Sequence, residues 1–398
     1  MASAWGAGCV AACVLLAAPA ASAQAPAPSV SIGYLSLQVK RSYPKTFLDQ
    51  PPSDEGVQGA RLGAADDATT GRFINQAYQL QEALAADAAA ALDAFRKQAE
   101  GGTRLFVADL PAALLMKVAD LPEAKDALIL DATSSDDALR GENCRRNVLH
   151  LLPSRAMLAD ALMQYLVTKN WRRIMLLVGK TPGDALYADA VRRSAKKFQV
   201  TIAADRNWTF NPAAQQADTG HYEVNDEVAK ATQGVSYDLL VVADEDDEFG
   251  DDVSYRTDAP RPVAGTQGMV PSAWARSFDE YASTQLQGRF LRRAKRWMTD
   301  RDYGAWLAMR AIGEAAARSN STDPKAIAAY MRGPDFQLAG YKGPSFSFRP
   351  WDGQLRQPVL LADGRSLVSI SPQAGFLHQY NDLDTLGIDQ PETQCHTP

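Results

Sequence analysis

Two short runs dominated by apolar residues, Ile174 to Val178 and Tyr237 to Ala243, constrain this chain more than any other feature. A strand with one face in water alternates apolar and polar residues, whereas a strand buried on both faces reads as a nearly unbroken apolar run. Such strands need helices above and below the sheet, and helical segments lie beside both runs. Ser154 caps a predicted helix through Lys169, and Asp184 to Phe198 reads as another.

The same rhythm starts near the amino terminus. Val30 to Leu37 reads as a strand. Ser53-Asp54-Glu55 offers a helix cap with acids in the first turn, followed by Val57, Ala60, Ala64 and Ala68 at helical spacing. Tyr78 to Leu80 reads as a short strand, and Leu84, Ala88, Leu92, Phe95 and Ala99 mark a helix stopped by Gly101-Gly102. Arg104 to Ala108 and Ala127 to Leu130 are strands around a helix from Ala112 to Ala119. From about Phe278 the pattern turns helical, over Phe290 to Met298 and Tyr303 to Ala317. Short strands return around Phe346 to Phe348, Val359 to Leu361 and Leu367 to Ile370. The fold class is therefore α/β, with parallel sheets in two lobes.

At 398 residues the chain has room for two such cores. Its net charge of -6 argues against a nucleic-acid partner, which needs a basic footprint. Residues 1–23 hold no Lys, Arg, Asp or Glu; an apolar stretch from Cys9 to Ala20 runs into Ala21-Ser22-Ala23 and then Gln24. That is the pattern of a cleaved signal peptide, and it places the mature protein in the periplasm. A membrane anchor or lipidation at Cys9 or Cys13 are the alternatives. Residues 24–29 read as a flexible leader. Cleavage leaves Cys144 and Cys395, an even pair that in an oxidising compartment is expected to form one disulfide, with two unrelated buried thiols as the alternative.

Three stretches carry a resemblance. Glu55-Gly56-x3-Ala60-x3-Ala64 follows the first strand, Asp131-Ala132-Thr133-Ser134-Ser135 follows another, and His150-Leu-Leu-Pro153-Ser154 leads through a helix to Trp171-Arg-Arg-Ile-Met-Leu-Leu-Val178. In that order they resemble the type I periplasmic binding proteins, the group that includes the leucine/isoleucine/valine-binding proteins. The resemblance implies two doubly wound parallel-sheet lobes joined by a multi-crossing hinge. It divides the chain into a first lobe at 30–152 and 278–338, a second at 153–277 and 339–388, and a tail at 389–398. It also implies a solute-binding role beside an ABC permease, with no catalysis.

A narrower likeness covers Asp244-Glu245-x2-Glu248-Phe249-Gly250, Pro260 to Gly268 and Pro271-Ser272-Ala273-Trp274. These segments resemble binding proteins associated with quinoprotein alcohol dehydrogenase systems, which use pyrroloquinoline quinone. The implied role is in alcohol oxidation or in handling the quinone, which would be a transported ligand and not a resident cofactor. A periplasmic carrier of the quinone or of a metal ion is the alternative.

Ligands of open α/β sheets bind at the carboxyl ends of strands, which nominates residues directly. Lys40, Arg41 and Tyr43 follow the first strand, Lys180 ends the strand Ile174 to Val178, and Arg261 and Trp274 lie beyond Tyr237 to Ala243. Cations and aromatic rings suit an anionic, planar ligand. Thr133 and Ser134, in the segment where the resemblance implies a stretch of the ligand cleft, complete the set with Asp109 at the end of the third strand. Amino-acid binders of the family usually present small hydroxyl residues after the third strand; here Asp109-Leu110-Pro111 stands there, which is expected to disfavour a carboxylate at that spot. Asp244, Glu245 and Glu248 nominate a hard-cation site, against the simpler reading of a solvated acidic loop. No nucleophile elbow, HExxH motif or phosphate loop is present, and the four His do not cluster with Cys. His150, in an apolar stretch, is expected to be a hydrogen-bonded structural residue.

Overall fold

The computed structural model describes residues 1–2, 27–38, 52–208 and 227–396. The cleavage site between Ala23 and Gln24, and the candidates Lys40, Arg41 and Tyr43, lie outside the described residues; Ser29, read as the end of the leader, is the first residue of a strand.

The first sheet is five-stranded and wholly parallel, in the order β2-β1-β3-β4-β5: β1 Ser29–Leu37, β2 Ala77–Ala85, β3 Leu105–Asp109, β4 Leu128–Asp131 and β5 Val148–His150. Helices α1 (Val57–Ile74), α2 (Ala88–Glu100) and α3 (Ala112–Ala119) alternate with these strands. In β3, Leu105 and Val107 join one core cluster while Phe106 and Ala108 join another, so a four-residue apolar run serves both faces of the sheet.

Two boundaries differ from the sequence reading. Ser53 does not cap α1; the helix starts behind Gly56, whose φ of 80° needs a glycine and whose N–H donates to Asp302 Oδ1 at 2.8 Å. A residue far along the chain thus holds the N-cap glycine. Leu84 belongs to β2 and not to α2, which is capped by Asp87 through Ala90 N. The apolar spacing runs on into the strand, and only the cap marks the break.

The second sheet is four-stranded and parallel, in the order β7-β6-β8-β9. It is built from α4 (Arg155–Thr168, capped by Ser154), β6 (Arg173–Val178), α5 (Pro182–Lys197), β7 (Thr201–Asn207), β8 (Leu239–Ala243) and β9 (Val263–Gly265). The two apolar runs are its central strands. Ile174, Leu176 and Val178 face one cluster and Met175 and Leu177 the other.

The chain then returns to the first lobe. After β10 (Val270–Ser272), helices α6 (Ser283–Ala294), α7 (Asp300–Ser319) and α8 (Pro324–Arg332) cover the first core. The short strands β11 (Leu338–Ala339) and β12 (Ser345–Phe346) form a hairpin, and β13 (Val359–Ala362) pairs antiparallel with β10 and β14 (Leu367–Ser371). Strand β13 joins the lobes. Leu360 belongs to the first core, and its neighbours Val359 and Leu361 belong to the second.

A lysine ties these crossings together. Lys342 is 1% exposed, and its Nζ donates to Ala273 O, Gln357 Oε1 and Pro358 O at 2.7–2.9 Å. Nearby, half-buried Asp300 accepts Ala273 N and Trp274 N, and desolvation raises its carboxyl to about 6. Burial pushes the Lys342 ammonium down to about 7, with Asp300 pulling the other way. An unfolded lysine titrates near about 10.4, so between the two values the unfolded chain holds the extra proton and stability rises with pH. In urea unfolding from pH 7 to 10, the parent protein is expected to gain on Lys342→Met by up to about 1.4 kcal/mol per pH unit. Parallel pH profiles would remove Lys342 as the titrating group.

Cys144 and Cys395 form a disulfide across a separation of 251 residues, holding the tail against the loop that precedes β5. In the chain-entropy account, closing so long a loop stabilises by up to about 5 kcal/mol. Cys395→Ser is expected to lower the unfolding free energy by a large part of that, measured by denaturant titration without reductant. The parent protein treated with reductant should match it.

Candidate functional site

The carboxyl ends of the two parallel sheets face each other through a short chain of contacts. Asp131, ending β4, accepts Thr133 N and Ser134 N on one carboxylate oxygen. The next residues meet the start of α4, where Arg155 N donates to Ser135 O and Ala156 N to the Asp137 carboxylate. Arg155 in turn forms a two-pronged ion pair with Glu245, just beyond β8, at 2.7 and 2.6 Å. Strand ends of the first lobe are thereby linked to strand ends of the second, with Thr133, Ser134 and Glu245 along the line between them.

The first-lobe wall is built on Asp109 at the end of β3. It is 1% exposed, accepts the Tyr34 hydroxyl at 2.9 Å, and is gripped by Arg301 Nε and Nη2 at 3.0 and 2.7 Å. Thr133 also bonds to it. Burial raises the Asp109 carboxyl while Arg301 lowers it, and burial with the adjacent carboxylate pushes the Tyr34 phenol well above its usual value. Gly56 is needed here for space as well, since a Cβ would lie 2.4 Å from Asp109 Oδ2. Glu55 stands 3.6 Å from the free prong of Arg301. The charge that the sequence assigns to this spot is thus answered by Arg301. Arg301 was missed because its partner lies 192 positions away. The capping box of α7, Thr299 to Asp302, is the signal that places it at a helix start, beside the cleft.

On the second-lobe wall, Lys180 is 46% exposed with Nζ 3.6 Å from Glu248 Oε2. Its turn is held by Asp184, which accepts Thr181 N and Glu245 N at 2.9 and 2.7 Å. The metal-site expectation for Asp244, Glu245 and Glu248 is not met. Asp244 accepts the N–H groups of Glu248, Phe249 and Gly250, Glu245 pairs with Arg155, and Glu248 faces Lys180. Each carboxylate points at a different partner. No group of three or more His, Cys, Asp or Glu among the described residues is arranged to hold a metal ion.

Trp274 is placed differently from the sequence reading. It is 4% exposed, donates its indole N–H to Gln287 Oε1 at 2.9 Å, and stacks on Tyr303 with centroids 4.7 Å apart. It is a core residue of the first lobe, because its ring has a complementary partner there. His150 is buried between Asp131 Oδ2 and Leu139 O, with burial and the nearby Arg140 lowering its pKa. No helix among the described residues is long and apolar enough to cross a membrane.

Arg301→Ala leaves the Asp109 carboxylate buried without its cation, and the expected loss is about 3 kcal/mol in urea unfolding. Adding Asp109→Asn should recover much of that loss. Equal destabilisation in the single and double variants would show that the pair does not act as a unit.

Residues 55–218 match the periplasmic binding protein family model. No curated protein sequence matches the chain. Among solved structures it is similar to the leucine-, isoleucine-, valine-, threonine- and alanine-binding protein of Brucella ovis in a closed conformation, at 13% identity and TM-score 0.70, covering 94% of this chain and 100% of that one. It is similar to a branched-chain amino acid ABC transporter periplasmic ligand-binding protein of Burkholderia xenovorans, at 15% identity and TM-score 0.66, covering 86% and 95%. A third similar structure is an ABC transporter solute-binding protein of R. palustris in complex with benzoate, at 11% identity and TM-score 0.63, covering 92% and 99%. The fold of this chain is that of the type I periplasmic binding proteins.

Proposed function

We propose that this chain, built on the type I periplasmic-binding-protein fold, is the periplasmic solute-binding component of an ABC importer. It binds a small amino acid-like or aromatic carboxylate between its lobes and hands it on unchanged to a membrane permease. The observation that carries the reading is the opposition of two parallel-sheet carboxyl ends, joined by the Ser135–Arg155–Glu245 line and hinged on β13. Two lobes that rock about such a strand enclose a ligand by closing on it. The similar Brucella ovis and R. palustris proteins have names or contents, aliphatic amino acids and benzoate, that are small carboxylic acids. With Asp109 balanced by Arg301, the first-lobe wall presents the hydroxyls of Thr133 and Ser134, whose backbone N–H groups are held by Asp131, and Lys180 supplies a cation from the second lobe.

The narrower reading, service to a pyrroloquinoline quinone-dependent alcohol oxidation system, rests on the resemblance over residues 237–274. It adds the quinone, a planar polycarboxylate, to the ligands worth testing. In that reading the chain is a binding partner of the system and no enzyme.

The experiment is a thermal-shift screen with leucine, benzoate, pyrroloquinoline quinone, short alcohols and their aldehydes, followed by small-angle scattering on any hit. A true ligand at a hundredfold excess over Kd stabilises by about 2.7 kcal/mol, and it should also shrink the radius of gyration as the lobes close. For a carboxylate hit, Lys180→Ala should weaken binding roughly three- to tenfold, since a half-exposed cation is partly screened. Stabilisation without closure would sink the cleft-binding reading, and unchanged affinity in the variant would remove Lys180 from the site.

A further inference from the structure

A second pocket lies away from the cleft, where β5 begins, at the end of the first sheet opposite Asp109. It has a volume of about 210 Å³ and is lined by Arg145, Arg146, Arg332 and Arg349 together with the Cys144–Cys395 disulfide. Two of these arginines are already matched. Arg145 holds Asp120 with two bonds of 2.6 and 3.0 Å, and Arg349 is buried against Asp384 at 2.8 Å. Asp352, a carboxylate in the lining, stands 3.8 Å from Arg349 and accepts Gln354 N.

Arg146 and Arg332 are different. Arg332 reaches across to donate to the Arg146 backbone carbonyl, and the two side chains line the same pocket. Among the described residues neither has a carboxylate within ion-pair distance. Burial of its charged end and the like charge of Arg146 lower Arg332. A guanidinium nevertheless stays protonated at neutral pH, so the repulsion is not relieved by losing a proton. An anion seated between the two forks relieves it, and planar forks match oxyanions in two-pronged fashion.

We propose that this pocket is a binding site for a small oxyanion, phosphate or carboxylate, separate from the interlobe cleft. Arg146 and Arg332 supply the charge-assisted donors. The disulfide forms one wall and holds the tail in place beside them.

The test uses the full mature protein with inorganic phosphate and, separately, succinate, titrated by calorimetry at constant ionic strength. Saturable binding of either probe is expected, weakened about tenfold or more by Arg146→Ala or Arg332→Ala and abolished in the double variant. Arg293→Ala, an exposed cation on α6, should leave it unchanged. Binding of phosphate alone, of succinate alone or of both would each support the site and say which oxyanion it takes. Neither arginine belongs to a hydrophobic core, so the variants should fold; melting curves equal to the parent's without added anion would confirm it. No saturable binding of either probe would overturn the proposal. So would binding that survives the double variant.

Discussion

Helices α1 and α7 meet backbone to backbone at Gly59, where a Cβ would lie 1.9 Å from Asp302 O, and this contact governs the carboxyl end of the first sheet. Asp302 accepts Gly56 N at the start of α1 and is gripped by Arg296, which also reaches Asp54. One buried carboxylate thus fixes where both helices begin. Because both begin at the cleft, it also fixes Glu55 above and Arg301 beside Asp109. A side chain larger than glycine at 59 would push the helices apart and slide Arg301 away from Asp109.

The same logic recurs wherever a charge is buried. Asp160 on α4 accepts Arg193, Lys197 and Gly387 N, tying α5 and the segment that follows β14 to the second core. Asp384 holds Arg349 and Arg356. Lys342 joins three crossing segments. Buried ion pairs add little net stability once desolvation is counted, but each leaves an uncompensated charge if its partner moves. Their role here is to specify one arrangement of lobes and crossings. Strand β13, with adjacent side chains in opposite cores, shows how little covalent length separates the two bodies.

Much of the fold was legible because it follows from local pattern. The central strands β6 and β8 were readable as unbroken apolar runs, α3 as a regular helix, and the cap of α4 as Ser154. Edge strands were harder. β7 is only partly buried, and β5, β9 and β10 are three residues each, too short for any period to register. For the site, strand ends drew attention to Asp109, Thr133, Ser134 and Lys180 as positions, but not to what surrounds them. Trp274 read as an exposed aromatic beside a ligand because nothing in its neighbourhood along the chain reveals Tyr303 and Gln287 as its partners.

The division has a physical basis. Burial on two faces and the local capping of helices such as α4 depend on residue type and near neighbours, so the sequence by itself determined the α/β class, the two apolar central strands and the candidate strand ends. The balance of charge at Asp109, the dispersal of the acidic run at Asp244 to Glu248, the core position of Trp274 and the adjacency of Arg146 and Arg332 depend on partners far apart in the chain. Electrostatic energy falls with distance in space and is indifferent to distance along the chain, so only the tertiary structure decided them.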